Sequence, residues 1–417
     1  MRLTCWRGWL LSLAALLIAS QCWGDVRAPA PAPNAVNGAP TIEAASAILV
    51  DADTGAVLFS KNAHQRRPMA STTKIMTAII ILQRGRLDQM TTVSERASKA
   101  GQSSVWLQPG ETLSLEDLLK GILIKSGNDA AVAAAECVGG SVEGFVEKMN
   151  ARARELGAGN THFVNPHGLY QPDHYSTAAD LALLARHAML DPTFRSIVRS
   201  KTEVIADSGK PWDRLLVNHN KLLWLMPEAD GIKTGFVKES GQCLVFSATR
   251  EGWRLIGVVL DSPRALLYQE AQALLEYGFA SFRQVRFARE GEGLGDVAVR
   301  WGSARKVPVV AAEGLSMVVP RASTDKYHSE KVLPVPRAPV RRGQKLGRLD
   351  LVCDGRTIKF SRLIAGAAVG RARWVIALAW AWRGAAVMMV GAVVTRTAFK
   401  ISRRRRRAPR RRGAIRL

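Results

Sequence analysis

Ser71 and Lys74 form the first of three short motifs whose residue types could carry out acyl transfer. They stand three positions apart at the start of a helical pattern, so their side chains share one helix face and the lysine can take the serine's proton. The first turn of a helix also presents unpaired backbone N–H groups, which favour a developing oxyanion. A Ser-x-x-Lys sequence alone is weak evidence, because a helix-capping serine beside a solvated lysine is more common.

Two further motifs lie downstream. In one, Ser126 can relay a proton and Asn128 can hold a substrate carbonyl, because both sit on a tight loop between two helical patterns. In the other, Lys233 and Thr234 on a predicted edge strand can bind a terminal carboxylate, and Gly235 lets a substrate backbone come close. Each motif alone has an ordinary explanation, a turn with a helix cap for the first and chance for the second.

The three motifs together resemble the motif set of penicillin-binding proteins and serine β-lactamases. The sequence around them, with the Asn-Pro-His-Gly-Leu segment at 165–169, is similar to that of D-alanyl-D-alanine carboxypeptidases of the low-molecular-mass penicillin-binding group. The similarity is strong over residues 45–279 and looser beyond. It implies an enzyme without cofactor or metal that removes the terminal D-alanine from peptidoglycan stem pentapeptides and binds β-lactam antibiotics.

The resemblance also implies a role for each motif residue. Ser71 is expected to attack the carbonyl of the penultimate D-alanine, with Lys74 as general base. Ser126 is expected to pass a proton to the leaving D-alanine, and Asn128 to orient the substrate amide. For the proton transfer Lys74 must be neutral, and burial beside a second lysine lowers a lysine pKa in the required direction.

Substrate binding is expected mainly on the third motif. Lys233 and Thr234 would hold the terminal carboxylate beside Gly235. The backbone N–H of Phe236 would complete an oxyanion hole with that of the nucleophile. Relatives often carry an arginine just ahead of the last helix for the same carboxylate, and Leu267 stands at that position here.

Several other functions share part of this pattern. A class A β-lactamase needs a Glu-x-x-x-Asn loop, which is not found between the second and third motifs. A D,D-endopeptidase that cleaves cross-links uses the same machinery, and a catalytically inactive penicillin-binding wall regulator could keep the same motifs, so both remain alternatives. A metal enzyme is disfavoured because its candidate ligands lie in one loop-like stretch without a recognised ligand pattern. These candidates are His162, His167, Asp173 and His174.

The hydrophobic patterns predict the elements that must position these motifs. A hairpin is predicted at 47–59, helices at 73–83, 115–124, 129–137, 142–155 and 265–277, and strands at 241–248 and 253–260. Strands at both ends with helices between them indicate an α+β domain with an antiparallel sheet. Short alternating strands beyond residue 282 predict a small all-β domain, followed by a C-terminal membrane helix.

Composition shifts divide the chain further. Residues 1–24 have the basic start and apolar run of a signal peptide, and 25–44 form an Ala/Pro-rich linker. The catalytic domain is expected at 45–282, the β-rich domain at 283–365 and a membrane anchor helix at 372–395. Residues 396–417 form an arginine-rich tail. The catalytic domain is therefore expected outside the cytoplasm, anchored to the outer face of the cytoplasmic membrane.

The net charge of +24 is concentrated at the C-terminus, where residues 396–417 hold eleven cations. This placement favours binding of membrane lipid, and it gives no support for a nucleic-acid partner because no reading module accompanies the tail. An arginine-rich end on the cytoplasmic side also obeys the positive-inside rule. Arg383 inside the apolar stretch leaves an in-plane amphipathic helix as the alternative to a spanning one.

Three cysteines remain after removal of the signal peptide. Cys137, Cys243 and Cys353 lack the close spacing of a zinc site. They are interpreted as small buried apolar residues, with a Cys137–Cys243 disulfide as the open alternative.

Overall fold

The computed structural model describes residues 38–205 and 213–406, with the side chains of 404–406 excepted. The predicted signal peptide, residues 25–37 of the linker and residues 407–417 of the tail lie outside the described residues. The described chain forms two compact units. One contains the residues up to Val285 with Met317–Thr324, and the other contains Arg286–Ser316 and the residues from Asp325 onward.

The first unit is built on a five-stranded antiparallel sheet. Its strands up to the unit boundary are β1 (Ser46–Asp51), β2 (Val57–Lys61), β3 (Met90–Thr92), β4 (Thr112–Ser114), β5 (Thr202–Ile205), β6 (Arg214–Val217), β7 (Ala229–Val237), β8 (Gly241–Arg250), β9 (Trp253–Ser262) and β10 (Phe282–Ala288). The main sheet has the order β2-β1-β9-β8-β7, while β3 with β4 and β5 with β6 form separate two-stranded sheets. Strand β7 therefore forms one edge of the main sheet and pairs there with β8.

Alternation along the central strands explains why both faces of this sheet are covered. On β8, Cys243 and Val245 enter the core on one face, while Leu244 and Phe246 enter the core on the other. Successive side chains of a strand point to opposite faces, so a strand that is apolar at every position must be buried on both sides. The antiparallel sheet flanked by helices that the sequence predicted is confirmed.

Nine helices of the described residues flank the sheet. They are α1 (Lys74–Arg84), α2 (Glu95–Ser98), α3 (Leu115–Leu123), α4 (Asn128–Gly139), α5 (Val142–Leu156), α6 (Ala178–Ala188), α7 (Pro192–Arg199), α8 (Leu222–Leu225) and α9 (Leu267–Ser281). The starts of two of the predicted helices are explained by capping, because Ser114 accepts a hydrogen bond from the amide of Asp117 and Ser141 accepts one from that of Gly144. Helix α4 is buried over its first two turns, as its alanine content requires in a core.

Helices α6 and α7 lie in a stretch for which no element was predicted. The hydroxyl of Thr177 accepts from the amide of Asp180 at the start of α6. The carboxylate of Asp191 accepts from the amides of Thr193 and Phe194 at the start of α7. Both caps are sequence signals for the start of a helix, so these helices could have been predicted without knowledge of the tertiary structure.

The second unit is an antiparallel β domain. The remaining strands are β11 (Gly293–Ala298), β12 (Lys306–Ala311), β13 (Leu315–Pro320), β14 (Tyr327–Val332), β15 (Lys345–Cys353) and β16 (Arg356–Ala365). Five of them form a sheet in the order β11-β12-β16-β15-β14. The predicted all-β region is confirmed, and β14 is added to it. This strand was not predicted because its exposed polar residues show no hydrophobic alternation.

The chain continues from the β domain into one long helix, α10 (Arg373–Arg406). Its segment Arg373–Arg403 is long and apolar enough to cross a membrane, and none of its most apolar window is buried in the structure. The helix extends beyond residue 395, where the predicted anchor ended. An apolar helix with no protein covering it has its hydrophobic surface free for another environment.

Candidate active site

Ser71 lies in a short 3-10 turn, Ala70–Thr73, that leads directly into α1. Ala70 has a φ of +48°, which is uncommon for a residue with a Cβ. The hydroxyls of Thr72 and Thr73 donate to the carbonyls of Met69 and Ala70, at 2.6 and 2.8 Å. These local bonds hold the strained turn and fix the serine at the start of the helix, as the sequence predicted.

Lys74 is fully buried, and its amine has three partners. The Nζ atom lies 2.9 Å from Oγ of Ser71, 2.7 Å from Oδ1 of Asn128 and 2.6 Å from the carbonyl oxygen of His167. A neutral amine has two N–H donors and one lone pair. Two of the partners are carbonyl oxygens that can only accept, so they take the two donors and the lone pair is left for the hydroxyl of Ser71.

The electrostatics of the site favour this neutral amine. Burial lowers the pKa of Lys74 well below its usual value, and the nearby charge of Lys233 lowers it further, while Asp129 acts in the opposite direction. Burial also lowers the pKa of Lys233 to about 7. The pair therefore consists of one lysine that resists protonation and a second that is about half protonated at pH 7.

Asn128 is the first residue of α4, and its orientation is fixed by its two side-chain bonds. While Oδ1 accepts from Lys74, Nδ2 donates to the carbonyl of Gly101 at 2.9 Å. The neighbouring carboxylate of Asp129 accepts from the amides of Val105 and Leu107, both at 3.1 Å. The loop at 101–107 is thereby held against the start of α4, which positions the amide of Asn128.

Ser126 is buried on the loop just before Asn128 and has a φ of +64°. Backbone strain in a non-glycine residue is often retained at functional sites. Within residues 38–205 and 213–406, its hydroxyl has no hydrogen-bond partner. The structure thus places a hydroxyl with free hydrogen-bonding capacity two residues before Asn128, which accepts a hydrogen bond from the Lys74 amine.

The third motif lies on the edge strand β7, which packs against the turn that carries Ser71. Lys233 is buried and its Nζ donates to the carbonyl of Thr234 at 3.1 Å. A Cβ placed on Gly235 would lie 3.1 Å from the amide nitrogen of Ser71. This closeness brings the backbone at Gly235 and Phe236 beside the backbone of Ser71, and the side chain of Phe236 is exposed.

The sequence did not predict the role of the loop that follows helix α5. The carbonyl of His167 accepts from Lys74, and Gly168 has a φ of +94°. A Cβ on Gly168 would lie 2.0 Å from the carbonyl oxygen of Ala70 and 2.9 Å from the amide nitrogen of Ser71. The side chain of Asn165 accepts from the amide of Gly168 at 2.7 Å and shapes the turn. The Asn-Pro-His-Gly sequence was the available signal.

The rings of the three candidate histidines form hydrogen bonds within the chain. Nδ1 of His174 accepts from the amide of Val164 at 3.0 Å, so its Nε2–H donates to the hydroxyl of Thr73 at 2.8 Å. Burial lowers the pKa of both His167 and His174 to about 3. One ring nitrogen of His162 lies 2.7 Å from the carbonyl oxygen of Asp173. The described residues contain no group of side chains that could hold a metal ion.

Leu267 does not reach the site. It is buried in the core on the face of the sheet covered by α9. His219 also lies near the site, and no motif in the sequence marks it. Its amide donates to the carbonyl of Ile124 at 3.3 Å, beside the Ser126 loop. Partial burial and the charges of neighbouring lysines, with Lys233 the first among them, lower the pKa of His219 to about 4, so its ring is neutral at pH 7.

The three described cysteines are free. Cys243 is buried, and burial raises the pKa of its thiol to about 11, whereas Cys137 and Cys353 are partly exposed. The Cys137–Cys243 disulfide that the sequence left open is not formed. The prediction of burial holds for Cys243 and is wrong for Cys137 and Cys353.

Comparison with known proteins agrees with this geometry. A family model described as D-alanyl-D-alanine carboxypeptidase matches residues 33–264, and one described as the C-terminal domain of penicillin-binding protein 5 matches residues 282–371. The carboxypeptidases DacF of Bacillus subtilis and DacC of Escherichia coli are each 35% identical to the chain; the matches cover 78% of it and 85% and 84% of the relatives. The solved structure of penicillin binding protein 5 from Haemophilus influenzae is 32% identical, with a TM-score of 0.69, over 80% of this chain and 99% of that one.

Replacing Gly168 by alanine tests the close backbone approach to Ser71. The added methyl group meets the backbone of Ala70 and Ser71, which cannot move aside as a flexible side chain could. We expect acylation by a fluorescent penicillin to slow by about 100-fold, the effect of misplacing a reacting group by roughly 1 Å. Gly159→Ala is the control, because nothing lies within 4 Å of its added Cβ. An acylation rate of the Gly168→Ala protein close to that of the control contradicts this role.

Proposed function

Because the chain belongs to the D-alanyl-D-alanine carboxypeptidases of the low-molecular-mass penicillin-binding group and is a serine peptidase, we propose that Ser71 is its nucleophile and Lys74 its general base. One observation carries this assignment. Two of the three partners of the buried Lys74 amine are carbonyl oxygens, which take its two N–H donors. Its lone pair is therefore left for the Ser71 hydroxyl at 2.9 Å. A base in hydrogen-bond contact with a serine is what a hydroxyl nucleophile requires.

In the acylation step, Oγ of Ser71 bonds to the carbonyl carbon of the penultimate D-alanine while its proton moves to Nζ of Lys74. The negative charge formed on the carbonyl oxygen is held by the backbone N–H groups of Ser71 and Phe236. Support for this pair comes from Gly235, whose missing side chain lets the two backbone segments approach. The resulting ammonium is unstable in a buried site beside Lys233, so it readily gives its proton onward.

The proton next reaches the amine of the leaving D-alanine through the hydroxyl of Ser126, and the C–N bond breaks. Support for this relay comes from the free hydrogen-bonding capacity of Ser126 and from its place beside Asn128, which contacts Lys74 directly. Water then attacks the ester carbonyl, giving one proton to Lys74. The ester bond breaks, Ser71 regains its proton, and the shortened stem peptide leaves.

The substrate is proposed to bind as an added strand along the open edge of β7. An edge strand offers unpaired backbone groups to an extended peptide, and β7 is the edge that passes Ser71. Asn128 would orient the amide of the peptide. Lys233 and Thr234 would hold the terminal carboxylate, and binding of this anion favours the charged form of Lys233.

The Ser71→Ala protein tests the nucleophile and the reaction together. We expect it to lose labelling by a fluorescent penicillin completely, because no other residue is proposed to form the covalent bond. The unaltered protein is expected to release D-alanine from a stem pentapeptide, measured by mass analysis of the peptides before and after incubation. Persistent labelling of Ser71→Ala would exclude this serine. Cleavage restricted to cross-linked dimers would identify the enzyme as a D,D-endopeptidase.

The pH dependence of acylation tests the neutral amine. The rate constant for acylation by penicillin should rise with pH as Lys74 loses its proton. Removing the charge of Lys233 by Lys233→Met should raise the pKa of Lys74, since a repelling cation is gone, and should move this rise to higher pH. The rate constant is measured at saturating penicillin, so that weaker binding of the penicillin carboxylate by the variant does not affect the position of the curve. A shift to lower pH, or no shift, contradicts Lys74 as the base.

We also propose that the chain is exported and that α10 anchors it to the outer face of the cytoplasmic membrane. About 20 apolar residues suffice to span a bilayer, and the apolar part of α10 exceeds this length. Its end is rich in arginine, which favours the cytoplasmic side. Arg383 lies within the helix, with its guanidinium 5.8 Å from the ring of Trp380. The corresponding division of the chain is catalytic at 45–282, β-rich at 283–365 and anchoring at 372–395.

Deleting residues 371–417 tests the anchor. The shortened protein should move from the membrane fraction to the soluble fraction and keep its labelling by penicillin, because Ser71 and its partners lie in the other unit. Cell fractionation followed by detection with a fluorescent penicillin measures both properties. Retention of the shortened, labelled protein on washed membranes would show that another part of the chain holds it there.

A further inference from the structure

A loop of the β domain is bound by backbone hydrogen bonds to the residues just before the long helix. The amide of Ala372 donates to the carbonyl of Trp301 at 2.8 Å, and the amide of Ser303 donates to that of Gly370, also at 2.8 Å. Helix α10 begins at Arg373. The position of the Trp301 loop is therefore tied to the point at which the apolar helix starts.

Trp301 is unusual within this loop. Its side chain is 47% exposed although it is a large aromatic group, and its φ is +61°. A bulky residue with positive φ is strained and persists where the surroundings impose this conformation. Trp374, the second residue of α10, is also exposed, at 60%. Two exposed indoles thus flank the entry of the helix.

Exposed cations lie on the chain segments that meet at Trp301. The guanidinium of Arg337 lies 5.0 Å from the centre of its ring, and Arg300 is bridged to Arg337 through the backbone. We name the cluster around this tryptophan the collar; it consists of Trp301, Arg300, Arg305, Lys306, Arg337, Arg371 and Arg373.

No cation of the collar forms an ion pair with any residue in 38–205 or 213–406. Elsewhere in the same unit, Arg348 pairs with Asp350 and Arg362 pairs with Glu313. The collar therefore presents uncompensated positive charge and an exposed aromatic group together.

We propose that the collar is a second membrane-contact site, which binds anionic phospholipid headgroups at the outer surface of the bilayer. This inference rests on the proposed insertion of α10. If the helix enters the bilayer at Trp374, the loop bonded to Ala372 lies at the headgroup level, where indoles and arginines are both favoured. Each cation near such a surface strengthens binding by about fivefold. The contact would hold the β domain on the membrane surface.

The experiment uses the full-length mature protein, labelled with fluorotryptophan, in nanodiscs. Fluorine NMR with a water-soluble paramagnetic agent measures how exposed each indole is, and Trp→Phe variants assign the signals. We expect Trp301 to be protected several-fold more in discs of anionic phosphatidylglycerol than in discs of phosphatidylcholine. Trp224 is the matched control, since it is also 47% exposed and has Lys201 5.9 Å from its ring, and it should remain unprotected in both.

Charge is tested by variants and by salt. The Arg300→Gln, Arg337→Gln double variant should lose the extra protection of Trp301, whereas Arg348→Gln should keep it. Arg348 is the matched control because it also stacks on a ring, that of Phe360, outside the collar. Raising the ionic strength from about 0.1 M to about 1 M should weaken the protection, because the screening length falls from about 10 Å to about 3 Å. Penicillin labelling of each variant confirms that the catalytic unit is folded, and unchanged exposure of Trp301 in phosphatidylcholine discs confirms that the β domain is folded.

The outcomes separate this inference from the anchor itself. Protection of Trp374 in both kinds of disc with equal exposure of Trp301 in both would overturn the collar and leave the anchor intact. Exposure of Trp374 in both would overturn the anchor. Protection of Trp301 by a soluble polyphosphate, without protection in anionic discs, would assign the collar to a phosphate-bearing wall polymer and overturn the lipid contact.

Discussion

The arrangement of the catalytic unit depends on keeping one lysine amine uncharged inside the protein. An ammonium group without a carboxylate partner is costly to bury, whereas a neutral amine with satisfied hydrogen bonds is not. Lys74 is supplied with acceptors by Asn128 and His167, which belong to different segments of the chain. The start of α1, the start of α4 and the loop after α5 must therefore meet at one point. The fold is the means by which these three segments are held together around the amine.

Close backbone contacts make this meeting possible. Gly168 and Gly235 both approach the turn around Ser71; a Cβ has no room at Gly168 and would be crowded at Gly235. The capping and loop bonds of Asp129 and Asn165 then fix the segments that carry the acceptors. The site is thus built as much from backbone atoms as from side chains. This explains why Ser71, the proposed nucleophile, lies on a strained turn next to a rigid sheet rather than on a mobile loop.

The sequence predicted the types and spacing of the site residues better than their surroundings. The three motifs, the α+β class, the main sheet and five of its flanking helices could be predicted, because side-chain type and hydrophobic alternation are local properties of the sequence. The role of the His167 carbonyl could not be predicted, because it contacts Lys74 from 93 residues away and every residue has a carbonyl. The exposed strand β14 had no apolar pattern to read. The Thr177 and Asp191 caps are sequence signals for helix starts, so α6 and α7 could have been predicted from the sequence.

The open edge of β7 also has a consequence for what this hydrolase leaves uncut. Only a chain that is already extended can lie beside a strand, and a folded protein has its backbone engaged in its own structure. Charged Lys238 and Glu239 follow directly where the strand ends, which shortens the length of edge that another sheet could join. In the proposed binding mode, the open sheet edge therefore favours flexible wall peptides over neighbouring folded proteins, independently of the side chains of the substrate.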